Sequence, residues 1–216
     1  MGIRRSVILA VPALVPASMM WLFRVLSRRL SPAAAYNLGF AVYWLGWCVA
    51  LPLWLLGPKA AVRLLAAGRR PTGAESALLL LPVAGAVGTQ LLPGRRQMNA
   101  AVAAVMAGTG VLNAVAEELL WRGIFVHQFP DDIARGALWP LAGFSVWHLA
   151  PQTVLPSRLG RWRFVLGAAL VGSASTVSAW RSKGLRNCLL PHIATDACGV
   201  TAARFRLGLG QTSPGA

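Results

Sequence analysis

AAVAAVMAGTGVLNAVAEELLWRGIF, residues 100–125, is an apolar run long enough to cross a bilayer at about 1.5 Å per helical residue against about 30 Å of hydrocarbon. It shows no alternation of period two, so it reads as a helix rather than a barrel strand, and in lipid a helix bonds its own backbone groups. Glu117, Glu118 and Arg122 lie inside this run. An ionised side chain at the bilayer centre costs at least about 2.5–3.5 kcal/mol, so each needs a partner or a purpose.

Six further apolar blocks flank it, at residues 6–23, 33–56, 76–93, 137–150, 163–180 and 187–203. The chain is 56% hydrophobic and 12% charged, which excludes an ordinary soluble domain and a disordered chain. The expected fold is all-α, a polytopic transmembrane helical bundle of about seven spans. Residues 1–207 form one multi-pass domain, followed by a flexible Gly- and Pro-containing tail at 208–216. The block at 137–150 holds Pro140 and ends beside Pro151, so it is expected to be kinked, tilted or partly re-entrant. Trp162 and Trp180, about 27 Å apart along a helix, bracket the next block as interfacial anchors. Between the second and third blocks, residues 57–75 read either as a short amphipathic surface helix or as a loop.

The formal charge of +15 would suggest nucleic acid in a soluble chain. Here, of 21 Lys and Arg, only Arg122 falls within an apolar block away from its edges, so the expected partners are lipid headgroups and not nucleic acid. The basic residues divide evenly between the two sides and leave orientation open. Nineteen of the 21 are Arg, a bias expected of a GC-rich bacterial genome, and the expected location is the cell membrane. The first block resembles a signal peptide in its basic start, but its apolar run continues to Phe23 and then meets Arg24, Arg28 and Arg29, as a retained span does. Cys48, Cys188 and Cys198 have no metal-ligand spacing.

Only six residues are acidic, and three of them, Glu117, Glu118 and Asp196, lie in expected spans together with His148 and His192. Glu118 and Arg122 stand four apart with the acid first, the favourable order for an intrahelical ion pair. Glu117 is turned about 100° from its neighbour and is left for another task, either catalysis or a structural hydrogen bond, for instance with Asn113 one turn earlier. Phe144 and His148 share a helix face, as do His192 and Asp196. If the three polar turns face one another, they surround one water-filled pocket. Glu75, Asp131 and Asp132 fall in expected loops, and His127 is an interfacial residue outside the site.

The turns read EELLWR at 117–122, FSVWH at 144–148 and HIATD at 192–196. Together they resemble the EExxxR, FxxxH and HxxxN or HxxxD signatures of the CAAX-protease and bacteriocin-processing family, also called the abortive-infection family, in the family's order and over about residues 100–203. The resemblance implies an intramembrane glutamate endopeptidase acting on a peptide or protein substrate at or in the membrane, without cofactor or metal. In that mechanism Glu117, helped by His148, deprotonates a water, while His192 and Asp196 stabilise the oxygen that becomes negative. Glu118, Arg122 and Phe144 support them. The family often carries Asn where this chain has Asp196. Two other classes stay open. Glu, His, His and Asp are also competent zinc ligands, although the two-histidine helix of common zinc peptidases is missing. A non-enzymatic immunity or scaffold protein would use the same polar turns only to lock helices together.

Overall fold

The structure, a computed structural model, describes residues 2–157 and 160–199. Among these residues there are eight helices and no strand, an all-α membrane bundle. They are α1 (Ile3–Ser27), α2 (Pro32–Leu56), α3 (Pro58–Ala66), α4 (Gly73–Gly94), α5 (Ala100–Gln128), α6 (134–147), α7 (Arg161–Ser182) and α8 (Arg186–Gly199). Four of them, α1, α2, α4 and α5, are both long and apolar enough to cross a membrane. The expected seven spans are thus an approximation. The 22-residue α7 falls short because Ser173, Ser175, Thr176 and Ser178 dilute its apolar character, and α6 is shorter than a span. The part of the expected last span beyond residue 199 and the expected tail at 208–216 lie outside the described residues.

α5 runs through the middle of the bundle, packed on α8 along one side and touching α2, α6 and α7 elsewhere. Gly110 makes the α5–α8 contact close, since a Cβ there would stand 3.1 Å from the Ala197 amide nitrogen and 3.2 Å from the Ile193 carbonyl oxygen. Small residues are the usual means by which membrane helices bring their backbones together. This approach fixes the distance between the carboxylates of α5 and His192 of α8.

On the other side, α1 packs against α6 and α2 and buries Ile8, Val11, Val15, Met19 and Phe23, an i, i+3/i+4 stripe. The first block is therefore part of the core. Pro12 and Pro16 lie inside α1 without ending it, although each lacks the N–H that would bond four residues back. The Trp139 indole donates to the Leu9 carbonyl at 2.8 Å, beside the Ile8 carbonyl that Pro12 leaves without its helical donor. Gly143 lets α6 approach, for a Cβ there would meet Pro12 at 2.5 Å.

α3 is the amphipathic helix that was one of two readings of residues 57–75. It buries Ala61 and Leu64, three residues apart, and exposes Lys59, Val62 and Arg63. The Leu64 and Ala67 carbonyls accept from the Leu185 and Arg186 amides, docking α3 on the start of α8. Glu75, expected in a loop, instead sits buried in the first turn of α4. There it completes a capping box with Thr72, and its carboxylate takes Arg69 at 2.5 and 2.9 Å and Arg181 of α7 at 2.9 Å. The chain thus fastens the start of α4 to the end of α7.

Candidate active site

α5 is α-helical to Glu118 and then widens into a π-helical turn at Leu119–Gly123, which contains Arg122. A second widened turn, Tyr43–Ala50, interrupts α2. Such turns insert a residue into the helical register, re-aim the side chains that follow, and are frequent at functional sites. Glu117 lies about 16 Å along α5 from the helix's C-terminal end, well inside the bundle. Glu117, Glu118, Arg122 and His192 are all buried, at 3% exposure or less.

The two neighbouring carboxylates have separate surroundings. Glu117 Oε1 accepts from the Tyr43 hydroxyl at 2.9 Å and from the Trp147 indole at 3.1 Å, while Oε2 lies 3.7 Å from His192 Nε2. Tyr43 itself accepts from the Trp121 indole at 2.7 Å. The hydrogen bond to Asn113 considered for Glu117 is not made. Asn113 instead donates to Asp196 Oδ2 at 2.8 Å and accepts from the Trp44 indole at 2.7 Å.

Glu118 pairs with Arg122 as the spacing predicts, with Oε1 3.4 Å from Nη1. Its closer partner is His192, whose Nδ1 stands 2.7 Å from the same oxygen, and Cys188 donates to Oε2 at 3.3 Å. Arg122 also crosses to α7, donating to the Gly172 carbonyl at 3.1 Å and to Thr176 at 3.4 Å, with its guanidinium 4.2 Å from the Phe144 ring centre. Glu118 and Arg122 therefore join α5, α6, α7 and α8 at one level of the bundle.

His192 connects the two carboxylates. A carboxylate accepts and does not donate, so Nδ1 carries the proton toward Glu118 and Nε2 is directed at Glu117 and at Asp196 Oδ2, 3.5 Å away. Asp196 is the more open of the group, with 19% of its side chain exposed. His148 is half-buried at the end of α6, where its Nδ1 lies 2.8 Å from the Phe144 carbonyl. A carbonyl only accepts, so Nδ1–H donates and Nε2 is free for another partner. Its ring packs on Phe144 at 4.6 Å and on Phe164 at 5.8 Å, within electrostatic reach of Asp196 and His192.

The three sequence turns are thus brought to one place. Direct contacts link Glu117, Glu118, Arg122, His192 and Asp196, and Phe144 joins His148 to Arg122. Among the described residues, no group of three or more His, Cys, Asp or Glu side chains is disposed to hold a metal ion. The sequence reading gave the first three spans no part in the site, yet α2 supplies Tyr43 and Trp44. One signal was present: Tyr43 is one of two tyrosines and lies in the middle of its apolar block, away from the interfacial belt where tyrosines gather.

Residues 99–198 match the family described as Rce1-like, type II CAAX prenyl endopeptidase Rce1-like. That match agrees with the resemblance to the CAAX-protease and bacteriocin-processing family carried by the three signatures, and at the family level it supports an intramembrane endopeptidase, a protease acting on peptide bonds. No curated protein and no solved structure matches the chain.

Proposed function

We propose, from the membership of residues 99–198 in the Rce1-like family, that this protein is an intramembrane glutamate endopeptidase of a bacterial cell membrane, hydrolysing a peptide segment at or in the bilayer by direct attack of water. The observation that carries this reading is the state of Glu117. It is a buried carboxylate with one oxygen occupied by two fixed donors and the other directed toward His192. Oε1 is held; Oε2 is the base. In the reaction Oε2 takes a proton from water, Nε2 of His148 helps to hold that water, and the water oxygen attacks the scissile carbonyl.

The carbonyl oxygen becomes negative as the tetrahedral intermediate forms. His192, carrying a proton on each ring nitrogen among the carboxylates of Glu117, Glu118 and Asp196, donates to it from Nε2, oriented for that role by the bond between Nδ1 and Glu118. Asp196 stands beside it, held by Asn113. The proton taken by Glu117 then passes to the departing amine, so no covalent bond to the enzyme forms.

The test is cleavage of a membrane-associated peptide library by the purified protein in detergent or nanodiscs. Hydrolysis is expected to persist in the presence of metal chelators. Loss of activity on chelation, restored by about one zinc per chain, would replace the glutamate mechanism with a metallohydrolase. Failure to cleave any peptide would favour the scaffold reading.

Asp196 offers a finer prediction. If it donates toward the oxyanion through a protonated oxygen, Asp196→Asn keeps a donor of the same size and is expected to retain activity within about tenfold, whereas Asp196→Leu loses roughly 100-fold or more, the scale for one such donor. If the aspartate is instead the charge partner of His192, Asn cripples the enzyme much as Leu does. The kcat/KM values of the two variants against the parent decide between these roles.

A further inference from the structure

Tyr43 lies outside the segment that matches the family, on α2, and nevertheless makes a direct side-chain bond to Glu117. Its ring stacks on Trp147 with centres 3.8 Å apart and planes 22° from parallel. The two polar tips, the Tyr43 hydroxyl and the Trp147 indole N–H, converge on the same carboxylate oxygen. The stack is itself braced, since Phe40 packs edge-on to both Tyr43 and Trp147, and Phe23 lies 6.2 Å from Trp147. The Trp121 indole, donating into the Tyr43 oxygen, orients the hydroxyl proton toward Glu117. A hydroxyl has one proton, so with its lone pair engaged by Trp121 its hydrogen is free for the carboxylate.

We infer that Tyr43 and Trp147 are positioning residues for Glu117: a stacked aromatic pair that clamps Oε1 and thereby presents Oε2 to the reacting water. The inference rests on the reading of Glu117 as the base. A carboxylate without this clamp rotates about its terminal torsion, which is broad, and presents its two oxygens interchangeably. With two donors fixed on Oε1, one rotamer is selected. Such preorganisation acts on the chemical step, and a base misplaced by about an ångström loses on the order of 100-fold in rate. The working enzyme therefore requires α2 as well as the three helices that carry the signatures.

The experiment compares Tyr43→Phe and Trp147→Phe with Glu117→Gln, reading kcat and KM separately along with thermal melting in detergent. Tyr43→Phe keeps the stack and removes only the hydroxyl. The expected result is a kcat lower by about 10- to 100-fold with KM within twofold of the parent, because substrate binding is untouched while the base is loosened. Trp147→Phe removes the second donor and is expected to lower kcat in the same way. It also serves as the test should Tyr43→Phe, which leaves the Trp121 N–H without its acceptor, fail to fold. A parent-like kcat in either folded variant, or a change confined to KM, overturns the clamp. If Glu117→Gln is inactive while both phenylalanine variants turn over normally, the clamp alone is wrong. If Glu117→Gln itself remains active, the glutamate mechanism fails, and the clamp with it.

Discussion

Glu117→Gln is expected to remove hydrolysis while leaving the bundle folded. General-base catalysis contributes typically about 10²- to 10⁴-fold, and with Glu117 as the proposed base the loss should lie within that range. Folding should survive because glutamine keeps the shape, and its amide oxygen still accepts from Tyr43 and Trp147. The measurement is single-turnover cleavage in nanodiscs beside thermal melting of the same preparation. Cleavage within tenfold of the parent would exclude Glu117 as the base.

Arg122→Ala should produce the opposite pattern, a large loss of stability with loss of activity following from it. The guanidinium is 1% exposed and is held by α5 itself through Glu118, by α7 through Gly172 and Thr176, and by the face of Phe144 on α6. Removing one partner of a buried ion pair costs about 3–5 kcal/mol, because the remaining charge is left uncompensated. Glu118 would retain His192 and Cys188 but no permanent positive charge. A lower melting temperature and lower yield are the expected readouts, with Arg122→Lys intermediate because an ammonium cannot span Glu118 and Gly172 as a fork does. An alanine variant as stable as the parent would show that the pair does not hold these helices together.

The spacing of the polar residues made half of this site legible in the sequence. Glu118 and Arg122 are four apart and do meet, as do His192 and Asp196, because those relations are local to one helix and follow from its pitch. That the three turns converge was suggested by the cost of carboxylates in lipid and by the family's signatures, not by any single spacing. Long-range partners were hidden for a physical reason. Nothing in the run from Tyr43 to Cys48 announces that a widened turn will alter its helical register, so which of its aromatics would face Glu117 was not readable. Asn113 was expected on Glu117 because the two are four apart, but Asp196, brought close by the contact at Gly110, is where its amide donates. Glu75 was read as a loop residue because it precedes an apolar run. Its capping box with Thr72, a spacing of three visible in the sequence, is the signal that would have placed it in the first turn of α4.

The order of the helices along the chain also bears on how the protein enters a membrane. Synthesis delivers α2 before α5, so the Tyr43 hydroxyl is already waiting in the bilayer when Glu117 arrives. Glu118 travels with its own counter-ion, because Arg122 emerges from the ribosome within the next turn of the same helix. Trp147 and then His192 follow, the histidine last of all, and close the cluster. The buried polar cluster is therefore escorted at every stage of insertion. With Glu117 as the proposed base, the same order leaves the cluster incomplete, and the proposed cleavage without its oxyanion donor, until α8 has docked.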